Sequence, residues 1–95
     1  MIQKEDILQF LEEQKPYFFK KFGVRSIGLF GSYAKDRATS DSDIDIVVDM
    51  PPSFDNFFDL KYYLEKHLKA KIDLVREKNL RGFIRNKIQD ELLYV

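Results

Sequence analysis

Asp43 and Asp45 head the run Asp43-Ile44-Asp45-Ile46-Val47-Val48-Asp49. Its β-branched residues and period of two predict a strand with aspartates on one face and Ile44, Ile46 and Val48 on the other. Residues i and i+2 of a strand lie about 6.5–7 Å apart and point the same way, so both carboxylates can reach one ion or a pair of ions. Left uncompensated on a core-facing surface, such a pair costs about several kcal/mol. The fold must therefore give this face to solvent, to hydrogen-bond donors or to a cation. Asp73, inside the apolar stretch Ile72-Asp73-Leu74-Val75, is either a third carboxylate for that face or an edge acid turned to water.

The chemistry available to the chain is narrow. With 95 residues, no cysteine and one histidine, it has no disulfide scaffold, no thiol nucleophile and no His- or Cys-based zinc cage. A metal here is oxygen-bound, and magnesium suits carboxylates that share their ion with phosphates and water. Sixteen basic residues balance 16 acidic ones, which argues against direct nucleic-acid binding. The neutrality hides segregation. Residues 17–37 carry about +4, residues 38–60 about −6 with no base after Thr39, and residues 61–87 about +6. No apolar run approaches the roughly 18 residues of a membrane span, and the amino end does not resemble a secretory signal. The expectation is one cytoplasmic domain over residues 1–95.

The remaining elements follow from periodicity. Ile7, Leu8 and Leu11 predict a helix, and Pro16 predicts a break before a second short helix from Tyr17 to Phe22, closed by Gly23. Val24 to Phe30 reads as a buried strand, Tyr33 to Arg37 as a short helix, and Pro51-Pro52 as the stop after the aspartate strand. Ser53 caps a long helix to about Lys69 with Phe57, Leu60 or Lys61, Leu64 and Leu68 inward. Ile72 to Val75 is a third strand. Asn79 caps a last helix to about Gln89, packed by Phe83, Ile84 and Ile88, before an extended tail from Leu92 to Val95. The fold class is α/β (α+β), with a mixed sheet of about three to four strands flanked by helices.

Gly31-Ser32 follows the first strand and opens a helix, where glycine lets backbone approach a ligand and free N–H groups suit an anion. Ten residues then separate Ser32 from Asp43. The segment GSYAKDRATSDSDIDIVVD resembles the nucleotidyltransferase motif of Gly-Ser, ten residues, then Asp-x-Asp in the DNA polymerase β superfamily. Within it the chain looks like the minimal nucleotidyltransferases, the MntA-type antitoxins that accompany HEPN-domain toxins. The resemblance implies that Gly31 and Ser32 hold nucleotide phosphates and that Asp43 and Asp45 bind magnesium, two ions in all. It implies Asp73 as third metal ligand or general base. It further implies transfer of AMP from ATP to a tyrosine of a HEPN-domain RNase toxin, held in a hetero-oligomer and silenced by the transfer.

One departure stands out. Many relatives carry Arg-Gly where this chain has Lys35-Asp36, which sets another negative charge near the phosphates, while Lys35 and Arg37 offer two cations to offset it. Either cation is otherwise a solvated helix residue. The alternative to catalysis is a non-catalytic nucleotide-binding module that neutralises its partner by direct binding; transfer to a small molecule or an RNA end is a third reading. His67 is expected at the surface. The rings of Tyr17, Phe18, Phe19, Phe22, Phe54, Phe57 and Phe58 are expected mostly in the core, with one or two left for a partner. Lys78, Arg81 and Arg85 fall on one helical face, either solvated or set to meet an acidic partner or RNA.

Overall fold

The computed structural model describes residues 2–83 and 91–95. Its frame is a four-stranded mixed sheet of order β3-β2-β1-β4. Strand β1 (Ser26–Phe30) pairs antiparallel with β2 (Ile44–Asp49), and β2 pairs parallel with β3 (Ile72–Arg76). The long helix α3 (Phe54–Leu68) makes the crossover between those parallel strands. The tail from Leu92 to Val95, expected to be merely extended, supplies β4 (Leu93–Tyr94), which pairs antiparallel with β1.

The amino-terminal segment is one helix rather than two, α1 (Lys4–Phe22), with Pro16 inside it and Gly23 capping it in the left-handed conformation. The reason lies in packing. Ile7, Leu11, Phe18 and Phe22 are all buried at a spacing that keeps one stripe in phase across the proline. Pro16 itself is exposed, so the Glu12 carbonyl that loses its helical partner lies on the solvent side. Helix α2 (Gly31–Ala34) starts two residues earlier than the periodicity predicts, directly on the glycine. Ser53 caps α3 by accepting the Asn56 N–H, as expected. Helix α4 (Glu77–Phe83) begins at Glu77, so Asn79 lies inside it and is not its cap. The predicted course of that helix to Gln89, with Ile84, Arg85 and Ile88, falls outside the described residues, as does the side-chain packing of Phe83 and Arg81.

Helices α1 and α3 cover one face of the sheet. Ile44, Ile46 and Val48 of β2 meet Leu60, Leu64 and Leu68 of α3 and the α1 stripe in a single apolar cluster, and every buried side chain among the described residues is apolar or aromatic. The aromatic residues depart from expectation. Phe18 and Phe22 are buried and Phe57 is half-buried, but Tyr17, Phe19, Phe54 and Phe58 are exposed. Helical spacing registers which residues share a face; it does not register that α1 and α3 bury only their sheet-facing stripes in so small a domain. His67 is exposed, as expected, and its ring stacks on Tyr63 at 4.0 Å between centroids.

Candidate active site

The acids converge because of strand register. Phe30, Asp45 and Asp73 form one rung across three adjacent strands, Phe30 opposite Asp45 in the antiparallel pair and Asp45 opposite Asp73 in the parallel one. Side chains on one rung share a face, here the face turned away from α1 and α3. The chain leaves β1 at Phe30, so Gly31 arrives directly above the Asp45 carboxylate. A Cβ at Gly31 would overlap Asp45 Oδ2 and lie 2.9 Å from Asp45 Cγ. Gly31 also has φ of 75°, so both the contact and the backbone demand glycine. The structure thus brings together Gly31, Asp45 and Asp73. Asp43 immediately precedes β2, half-buried beside them. Asp73 is at once exposed at the sheet edge and opposite Asp45 in the parallel pair, so it is both an edge acid and a neighbour of the acid face.

This crowding has an electrostatic signature. Burial pushes the Asp45 carboxyl up to about 6, and the adjacent Asp73, through its charge and a hydrogen bond, and then Asp43 push it the same way. Crowded carboxylates, one of which keeps its proton up to about pH 6, gain when a cation replaces that proton and screens their repulsion. Among the described residues no three acids or histidines converge tightly enough to enclose an ion by themselves. Magnesium does not require such a cage, because one or two carboxylates with substrate phosphates and water complete its octahedron. The oxygen-only donor set and the raised Asp45 pKa both fit that ion.

The flanking loop is tied down by residues that local spacing does not reveal. Lys35, the C-cap of α2, pairs with Glu91 at 2.9 Å, and Asp36 pairs with Lys4 of α1 at 2.9 Å. Asp36 stands at φ of 59°, a left-handed position that aspartate tolerates better than most residues. Its charge is shared with Lys4 rather than left unpartnered beside the Gly31-Ser32 turn. Arg37 is exposed and forms no ion pair among the described residues. Lys4 and Glu91 are the residues that sequence reasoning missed, since only the fold brings positions so distant along the chain to one loop.

Comparison with known proteins identifies the family. The family model described as "Nucleotidyltransferase domain" matches residues 6–95. The protein adenylyltransferase MntA of Thermococcus cleftensis is 40% identical over 97 aligned positions, covering 100% of this chain and 98% of that one. A solved minimal nucleotidyltransferase superposes with a TM-score of 0.78 over 97% of this chain and 95% of that one, at 24% identity, a likeness of fold. A toxin–antitoxin structure with AMP-PNP matches at TM-score 0.55 and 27% identity, over 79% of this chain and 57% of the matched one. With its Gly-Ser turn set over a paired-carboxylate rung, the chain belongs to the nucleotidyltransferase domain family.

Proposed function

We propose that the protein is a magnesium-dependent adenylyltransferase that transfers AMP from ATP to a tyrosine of a HEPN-type RNase toxin and thereby neutralises it. The observation that carries this reading is the rung of Asp45 and Asp73 beneath Gly31, an acid pair and a phosphate-approach turn on one face. The naming of a relative as the adenylyltransferase MntA and the likeness to a toxin–antitoxin structure with AMP-PNP support the substrate and the partner. We place the complex in the cytoplasm; no helix among the described residues is long and apolar enough to cross a membrane.

In this reading Gly31 and Ser32 hold the triphosphate by close backbone approach, with Lys35 and Arg37 as its cations. Asp43 and Asp45 hold magnesium, with Asp73 as third ligand or as base toward the incoming hydroxyl. Magnesium, when bound, neutralises phosphate charge and lowers the pKa of the attacking group. The tyrosine oxygen forms a bond to the α-phosphorus as the bond to the pyrophosphate oxygen breaks, and the phenolic proton leaves toward Asp73. The protein's part is position and charge. The acceptor belongs to the partner, so buried Tyr33 and exposed Tyr62 and Tyr94 need no catalytic role.

Growth rescue tests the proposal. Cells expressing the toxin should survive with the wild-type protein and fail with the folded Asp43→Asn, Asp45→Asn variant. Full protection by that variant would overturn catalysis in favour of neutralisation by binding alone.

A further inference from the structure

The sheet ends on β3, whose outer edge pairs with no strand among the described residues. Ile44 N–H donates to the Lys71 carbonyl at 2.9 Å. The alternation of a parallel ladder then turns the backbone groups of Ile72, Leu74 and Arg76 toward the outer edge. Glu65 Oε2 takes the Ile72 N–H at 3.4 Å, which leaves the Leu74–Arg76 end to offer a template for another strand.

A cavity of about 440 Å³ runs beside this end, lined by Phe54, Phe57, Phe58, Leu74, Val75 and Arg76 among others. Leu74 and Val75 are consecutive and point to opposite faces, so a cavity that touches both lies along the edge of the strand rather than on either face. Phe54 and Phe58 form its apolar wall. They are 77% and 47% exposed, with ring centroids 4.6 Å apart. Arg76 supplies its charge. The guanidinium donates from Nη2 to the Met50 carbonyl at 3.1 Å, but its Nε is buried without an acceptor, and it forms no ion pair among the described residues. Arg76 thus lines the groove as a cation with no acidic partner among the described residues, which a carboxylate on an incoming segment would supply.

We propose that this groove docks the protein acceptor as an extended segment added to the β3 edge, with a large apolar side chain on Phe54 and Phe58 and a carboxylate on Arg76. The proposal rests on the adenylyltransferase reading and names the surface by which that site selects its substrate. Three residues of strand separate Arg76 from Asp73, about 10 Å. A segment docked here brings a residue about three positions from its carboxylate to the acid pair, where a tyrosine hydroxyl must arrive. A second copy of the chain on the same edge would instead cover Asp73 and close the site to an acceptor. Backbone pairing gives such a mode affinity, and the side-chain pockets give it selectivity.

The test is a Phe54→Ser, Phe58→Ser variant, whose exposed positions spare the core, alongside Arg76→Gln. With the purified toxin as varied substrate, KM for the toxin should rise about tenfold or more in each, with kcat and KM for ATP unchanged. The outward amides of Leu74 and Arg76 should gain protection from hydrogen exchange in the toxin complex. Unchanged KM for the toxin together with unprotected β3 amides would overturn the proposal. So would a concentration-dependent dimer of wild type, seen by sedimentation, that the double variant abolishes. Affinity and exchange need no transfer. A toxin that binds along β3 but receives no label would therefore refute the adenylyltransferase reading and leave the docking surface standing.

Discussion

Asp45 and Asp73 are register partners on adjacent parallel strands, and Asp45 titrates near 6 because it is partly buried beside that second carboxylate. The native chain holds the Asp45 proton more tightly than the unfolded chain, whose carboxyl has a pKa of about 3.8. Stability is therefore highest below the unfolded pKa and falls as pH rises through about 6. Asp45→Asn removes that loss. In metal-free buffer at pH 7.5 the variant should melt higher than wild type, by up to about 4–8 °C if the partly exposed group is worth ~1 kcal/mol after solvent screening. The gain should fade toward pH 4. Thermal melts across that range check it, and a lower melting temperature for the variant at pH 7.5 would count against the rung as described.

Magnesium should reverse the penalty. A cation competes with the proton held by Asp45, so its binding should release protons and strengthen as pH rises through about 6. At saturating metal the wild type should gain melting temperature by mass action, about 2.7 kcal/mol of stability at 100 times the Kd. The Asp43→Asn, Asp45→Asn variant should gain none. Equal stabilisation of both proteins would place the ion elsewhere.

Gly31 answers a contact as well as a dihedral angle. Gly31→Ala should cost about 1–2 kcal/mol for its positive φ and push the Asp45 carboxylate out of place. Misplacement of a reacting group by about 1 Å lowers rates about 100-fold. The variant should keep its circular dichroism spectrum and lose transfer by that order. A wild-type rate would mean that the close approach of turn and acid is incidental.

Asp36 occupies the left-handed position after α2 and pairs with Lys4. Asp36→Gly should be nearly neutral for stability, since glycine relieves the left-handed strain as the exposed pair is lost. Asp36→Ala should be less stable by about 1–2 kcal/mol, because alanine carries the left-handed strain without the pair. Urea denaturation separates the two. Equal stability of both variants would remove the conformational explanation for this residue.

Much of the site was legible in the sequence for a definite reason. The period of two around Asp43 and Asp45 fixes which face carries the acids, and Gly31-Ser32 after an apolar strand fixes where the turn falls. What spacing leaves open is register. Asp73 reads equally as a site acid or an edge acid until the parallel pairing sets it opposite Asp45. Pro16 misleads because propensity is local, whereas the in-phase stripe of Ile7, Leu11, Phe18 and Phe22 holds the helix together through packing. Lys4 and Glu91 carry no local signal at all. The exposed rings of Phe54 and Phe58 show the same limit from the other side, since helical spacing cannot tell a core stripe from a groove wall.

Chemical transfer to a protein acceptor is open to direct measurement. Incubation with ATP labelled on the α-phosphate, magnesium and the purified HEPN toxin measures it directly, followed by peptide mapping of the labelled residue. Label should appear on a toxin tyrosine with the wild-type protein and be absent with the folded Asp43→Asn, Asp45→Asn variant. An unlabelled toxin, with both proteins folded and ATP bound, would contradict it, as would equal labelling by the variant.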